Sequence, residues 1–114
     1  MKQHTMKLRP EPFGKIAVGQ KTIELRLYDE KRRQVQVGDT IRFVSTEDGE
    51  AVTAEVLALH PFDSFAALYQ SLPLTACGYT EAELATASPD DMEQYYDPAE
   101  QRRYGVVGIE IRLI

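Results

Sequence analysis

The chain has little of the chemistry that staples or metallates small proteins. It carries one cysteine, Cys77, and two histidines, His4 and His60, in 114 residues. A lone cysteine excludes an intramolecular disulfide. Two distant histidines give no metal-ligand spacing, so neither a structural zinc nor any other cofactor is expected. Tryptophan is absent. No apolar run approaches the roughly 20 residues that span a bilayer. Met1-Lys2-Gln3-His4-Thr5-Met6 has no apolar signal-peptide core, which points to a cytoplasmic protein without membrane partners. Positive charge is also in short supply: 13 Lys and Arg face 18 Asp and Glu, a formal net charge of −5. Such a balance argues against coating DNA or RNA through bulk charge, which needs many contacts to phosphate.

The chain has 43% hydrophobic residues, and its length suits one domain with its own core. The charge it has is unevenly spread. Residues 1–42 hold ten Lys and Arg against five acids, whereas residues 43–114 hold three Arg against thirteen acids. The first third is the natural contact surface for an anion.

Residues 4–8 read as a strand. After Arg9-Pro10-Glu11-Pro12, a short helix from Phe13 to Val18 is expected, closed by Gly19. A strand at 21–28 follows. Its period of two puts Ile23, Leu25 and Leu27 on one face and Thr22, Glu24, Arg26 and Tyr28 on the other, with Lys21 at the entrance. Asp29 to Arg33 reads as a solvated turn or one exposed helical turn. Val37-Gly38-Asp39 leads into a strand at 40–46. Asp48-Gly49 makes a hairpin turn into a strand at 51–59, with Val52, Ala54, Val56 and Ala58 on one face and Pro61 as its end. Phe62 to Leu72 is an amphipathic helix. Thr80-Glu81-Ala82-Glu83, Ser88-Pro89-Asp90-Asp91 and Asp97-Pro98-Ala99-Glu100 are three further helix starts. Gly105 closes the last helix and Val106–Ile114 is the final strand. The order β-α-β-β-β-α-α-α-β favours an α+β, mainly β protein: a small, mostly antiparallel barrel, closed or nearly so, surrounded by helices.

Lys21, Glu24 and Arg26 are the chemically pointed residues. On one reading, Glu24 and Arg26 are a solvated same-face pair worth about 0–1 kcal/mol. On the other, lysine, carboxylate and guanidinium form a site that binds a polar ligand or tunes its own pKa values. Cys77, beside a helix start, is either a small buried residue or a reactive thiol. His60 reads as a structural or surface histidine. Of Tyr95 and Tyr96, one ring is expected in the core and one at the surface.

Gly19-x-Lys21-x-x-Glu24-x-Arg26 resembles the G-x-K-x-x-E-x-R signature of the ASCH domain, a relative of the PUA-like β-barrels. Val37-Gly38-Asp39 before a strand and the closing Tyr104–Ile111 strand support the likeness over nearly the whole chain. The resemblance implies a barrel with a cleft beside the motif strand and an RNA- or nucleotide-binding role. Some small bacterial members are amidohydrolases that deacetylate N-acetylcytidine. In those, a lysine at the position of Lys21 carries the chemistry, with a threonine of the motif strand and a glutamate of the helical segment. Here Glu24 stands in place of the threonine, and Cys77 or its neighbours fall where the glutamate lies.

Four functions follow as expectations. A binding module would use Lys21, Arg26 and Arg9 on phosphate or a base edge and Glu24 on an exocyclic amine. Tyr28, Tyr95, Tyr96 or Tyr104 would stack on a base. An amidohydrolase would use Lys21 as base or nucleophile, or Glu24 to activate water. A ribonuclease would lack its usual histidine near the motif. A protein-interaction domain would show an exposed apolar patch.

Overall fold

The computed structural model describes residues 1–114. Its strands are β1 (Gln3–Leu8), β2 (Ile23–Leu27), β3 (Thr40–Ser45), β4 (Ala51–Phe62) and β5 (Val106–Leu113). Its α-helices are α1 (Pro10–Ala17), α2 (Phe65–Ser71) and α3 (Pro98–Tyr104), with 3₁₀ segments at Arg32–Gln34, Ala82–Thr86 and Pro89–Gln94. The strands form one curled sheet in the order β1-β3-β4-β5-β2. The β1–β3 pair is parallel and the other three are antiparallel. The result is a half-barrel whose two outer strands, β1 and β2, are not paired with each other. No helix is long and apolar enough to cross a membrane.

Several expected boundaries move, each for a physical reason. The first helix begins at Pro10 rather than Phe13, because both prolines sit in the first turn, where no amide hydrogen is required. Pro61 does not end β4; it pairs opposite Val107. Beyond Glu55, β4 has lost β3 as a neighbour, so one edge is free and a missing N–H is tolerated. A register shift between Val56 and Ala58 leaves Leu57 exposed and turns Leu59, not Ala58, toward the core. The amphipathic helix starts at Phe65, capped by the Ser64 hydroxyl accepting from Ala67 N, and Phe62 belongs to β4 instead. Thr80 and Glu83 exchange capping hydrogen bonds as expected, but the chain continues as 3₁₀ turns. Ser88 and Asp91 form a capping box over the next 3₁₀ segment.

Two apolar clusters lie on opposite faces of β2. One fills the inside of the curl under α1, around Phe43, Ile41, Ile16 and Ile109. The other packs Ile23, Leu25 and Leu27 against Phe65 and Leu68 of α2, with Cys77 and Met92. Every residue of β2 is therefore buried. The expected polar face of this strand points into the barrel and not into water, and this fact positions the site.

Candidate functional site

Glu24 and Arg26 are 2% and 8% exposed, which excludes the solvated surface pair. Lys21 precedes β2 and folds back over it, so that Lys21 Nζ lies 2.9 Å from Glu24 Oε1. Arg26 Nε donates to Glu24 Oε2 at 2.8 Å. Each carboxylate oxygen thus has its own cation. Burial pushes the Glu24 carboxyl up, but Lys21 and Arg26 together outweigh it and hold the group below the ordinary carboxylate range. Burial also works against the Arg26 charge, and Glu24 more than compensates.

Arg26 does a second job. Its Nη2 donates to the Lys7 carbonyl at 2.9 Å. Thr40 N and Thr46 N bond the carbonyls of Lys2 and Leu8, so the even-numbered residues of β1 face β3 and Lys7 faces outward. A guanidinium rooted in one outer strand therefore holds the outer edge of the other.

Above this triad lies a cavity of about 450 Å³, within the usual range for small-molecule sites. Its mouth carries Lys7 and Arg9; α1 contributes Lys15, β2 contributes Lys21, Glu24, Leu25 and Arg26, and the far wall holds Tyr69, Cys77, Tyr79, Asp91, Tyr95 and Tyr96. Lys15 is already engaged, with the Gly78 carbonyl at 2.7 Å and with Glu11 and Glu83 nearby. Arg9 lies 4.7 Å over the Tyr95 ring and reaches the Gln94 carbonyl at 3.3 Å, bridging the mouth. Gly78, at φ +114, lets the loop cross the Lys21 stem; a Cβ there would lie 3.2 Å from Lys21 Cδ.

The register of β2 adds a feature. Thr22 O and Tyr28 N bond β5 and Gly105, so the even-numbered residues face β5. The backbone of Leu25 is turned the other way, and its carbonyl accepts the Tyr96 hydroxyl at 3.5 Å.

The structure brings together Lys21, Glu24, Arg26 and Arg9. Tyr28 lies outside the lining: it packs against the apolar core with the Arg33 guanidinium 4.3 Å over its ring. Tyr104 is also elsewhere, packed in the second cluster. Tyr95 is exposed and Tyr96 is half-buried against Phe65, which matches the expected split. Burial pushes the Cys77 thiol up to about 11, the opposite of an activated cysteine. His60 pairs with Glu110 at 3.1 Å, away from the cavity. No group of His, Cys, Asp and Glu side chains is arranged to hold a metal ion.

Sequence reasoning missed the Tyr69–Tyr79–Asp91 part of the far wall. Tyr79 donates to Asp91 Oδ2 at 2.6 Å, and its oxygen lies 2.7 Å from the Tyr69 hydroxyl. Because the Tyr79 proton is committed to Asp91, Tyr69 is the donor to Tyr79. Burial raises both phenols, Tyr69 to about 12, so the chain stays protonated in this order. Its members are ten and twelve residues apart, Tyr69 on α2, Tyr79 in a loop and Asp91 in a 3₁₀ segment, and no shared periodicity signals a common wall.

The model of the ASCH domain matches residues 6–114. No curated protein matches the chain. The crystal structure of the hypothetical protein PH0355 is 34% identical over 100% of both chains, with a TM-score of 0.80. The solution structure of protein PF0455 from Pyrococcus furiosus is 33% identical, covers 98% of this chain and 97% of that one, and has a TM-score of 0.71. ASCH from Zymomonas mobilis, at 16% identity over 96% of this chain and 66% of its own, shares the fold with a TM-score of 0.64. With its curled, PUA-like sheet and a family match running from β1 to the last residue, the chain belongs to the ASCH domain family.

Proposed function

We propose that this protein binds a nucleotide, free or as part of single-stranded RNA, in the cavity beside β2. The observation that carries this reading is the union, in one concave site, of a cationic mouth, aromatic rings and a buried ion-paired floor. Lys7 and Arg9 at the mouth supply charge to a phosphate. Tyr95 and Tyr96 offer ring faces to a base, as aromatic side chains do for unstacked RNA. Leu25, Lys21 and Glu24 supply acceptors and donors at fixed places on the floor. The small number of uncommitted cations fits one or two nucleotides rather than a long polyanion.

The test is calorimetric titration at low salt with ribonucleoside monophosphates and with short single-stranded RNAs. Binding is expected, and Arg9→Ala is expected to weaken it about tenfold or more, the scale of one charge-assisted hydrogen bond. Absence of binding to every probe, in a protein with an unchanged melting transition, rejects the reading.

A second reading is an amidohydrolase acting on an acylated pyrimidine nucleoside with Lys21 as the catalytic group. It is favoured by the placement of Lys21 on the cavity floor, in contact with Glu24. Against it, Lys21 Nζ is engaged by the Glu24 carboxylate at 2.9 Å, which occupies the amine that a nucleophile needs free. Glu24, held ionised by two cations, is likewise a weakened base. Incubation with N-acetylcytidine and chromatography of the product separates the two. Deacetylation that Lys21→Ala abolishes establishes the enzyme, and no turnover leaves binding as the function.

A further inference from the structure

The Tyr69–Tyr79–Asp91 wall has a direction. An ionised carboxylate only accepts, so Asp91 takes the Tyr79 proton, and Tyr79 in turn takes that of Tyr69. Asp91 is fixed independently, since its Oδ2 also accepts from Ser88 N at 3.2 Å. Each phenol oxygen has two lone pairs. Tyr79 has one left over and Tyr69 has two, whereas neither has a free proton. Both residues line the cavity. The wall therefore accepts hydrogen bonds and donates none.

The cations lie elsewhere in the cavity, with Glu24 and the Leu25 carbonyl as acceptors on the floor. Lys7, Arg9, Lys21 and Arg26 are donors only. A phosphate facing the tyrosine wall would meet lone pairs with lone pairs, so it belongs at the Lys7–Arg9 mouth. The base takes the ring faces of Tyr95 and Tyr96, beside Arg9. What remains of a nucleotide to meet the acceptor wall is the sugar, whose hydroxyls are donors.

We infer that Tyr69 and Tyr79, oriented by Asp91, accept a hydrogen bond from a ribose hydroxyl and so make the site selective for ribonucleotides over their 2′-deoxy counterparts. This inference rests on the nucleotide reading above. Tyr69 and Tyr79 are the contact residues; Asp91 is a positioning residue that fixes the proton order.

The experiment titrates the protein with CMP and 2′-deoxy-CMP, AMP and 2′-deoxy-AMP, and CMP against UMP. The same pairs are run on Tyr79→Phe and Tyr69→Phe, with melting curves as a check on folding. The wild type is expected to prefer each ribonucleotide by about tenfold, as a site built around a hydroxyl rejects the analogue that lacks it. Both variants are expected to lose that preference by weakening ribonucleotide binding while leaving deoxynucleotide binding unchanged. Equal affinity of the wild type for ribo and deoxy forms overturns the inference while the nucleotide reading stands. So does a CMP-over-UMP preference that disappears in Tyr79→Phe, which would place the base amine at the wall. A wild type that binds none of these probes removes the nucleotide reading itself, and the inference with it.

Discussion

Glu24 is the residue on which site and fold both depend. Its two oxygens neutralise Lys21 and Arg26 inside the protein, so removing its charge strands two buried cations. Breaking a buried pair by deleting one partner costs about 3–5 kcal/mol. Glu24→Gln is therefore expected to lower urea stability by that amount, and a loss under about 1 kcal/mol would show that the triad does not support the fold. The same group sets an acid limb. Its folded value lies below the ordinary 4.5, so its contribution is complete above that value and fades as pH falls through the lowered one. Asp39, which accepts from Lys2 N, Gln36 N and His4, is lowered from 3.8 to about 2 and acts with the same sign. Urea midpoints are expected to hold from neutral pH down to the mid-4 range and then decline, more gently in Glu24→Gln. Cys77 gives an independent check. Its buried thiol is expected to react with a disulfide reagent at pH 8 only after denaturation, and rapid labelling of the native protein would contradict its place in the core. The sequence motif named Lys21, Glu24 and Arg26 because three charges within six residues stand out. It also named Tyr28, which alternates onto the same side of β2. There the inside of the barrel holds both the site and the core, and Tyr28 ends in the core.

At the level of elements, the glycines at the two ends of one turn of logic separate conformation from space. Gly105 leads α3 into β5 at φ +71 and ψ −172, a region essentially closed to other residues, and an added Cβ would lie 3.0 Å from the Phe62 carbonyl. Gly108 has no such constraint, but its Cβ would meet Leu72 Cδ1 at 2.7 Å, the movable tip of a side chain. Gly105→Ala is expected to cost about 1–3 kcal/mol or more, and Gly108→Ala less, in chemical denaturation. The reverse ranking would mean that packing, not backbone geometry, controls this segment. Element order was legible from the chain because capping residues, Gly and Pro mark ends locally. The extension of β4 through Pro61 was not, because tolerance of a proline depends on which edge of a strand is unpaired, and that is a property of the sheet. The shift at Leu57 was hidden for the same reason: alternation reads a strand as regular until its partner shows an extra residue. The two middle helix starts carried the right caps, yet segments of five and six residues closed as 3₁₀ turns.

For the molecule as a whole, charge asymmetry becomes spatial. The basic first third supplies β1, α1 and β2, which meet at the cavity, while the acidic remainder supplies most of the far wall. Few cations at the mouth are free of partners, so binding of single-stranded RNA is expected to show a shallow salt dependence. With about two phosphate contacts the slope of log K against log salt is about −1.4. A slope several times steeper would indicate a surface-wide basic path and not a pocket. The curled sheet was foreseen as a barrel, but how it closes was not, since only the folded chain shows that Arg26 spans the interval to Lys7. Four ladders of backbone pairs fix every other spacing between strands. The gap from β2 to β1 is bridged instead by the Arg26 side chain. That seam is the one interval between sheet edges where a charged side chain, and not a backbone ladder, reaches from strand to strand, so the integrity of the curl there rests on a residue that also belongs to the cavity floor.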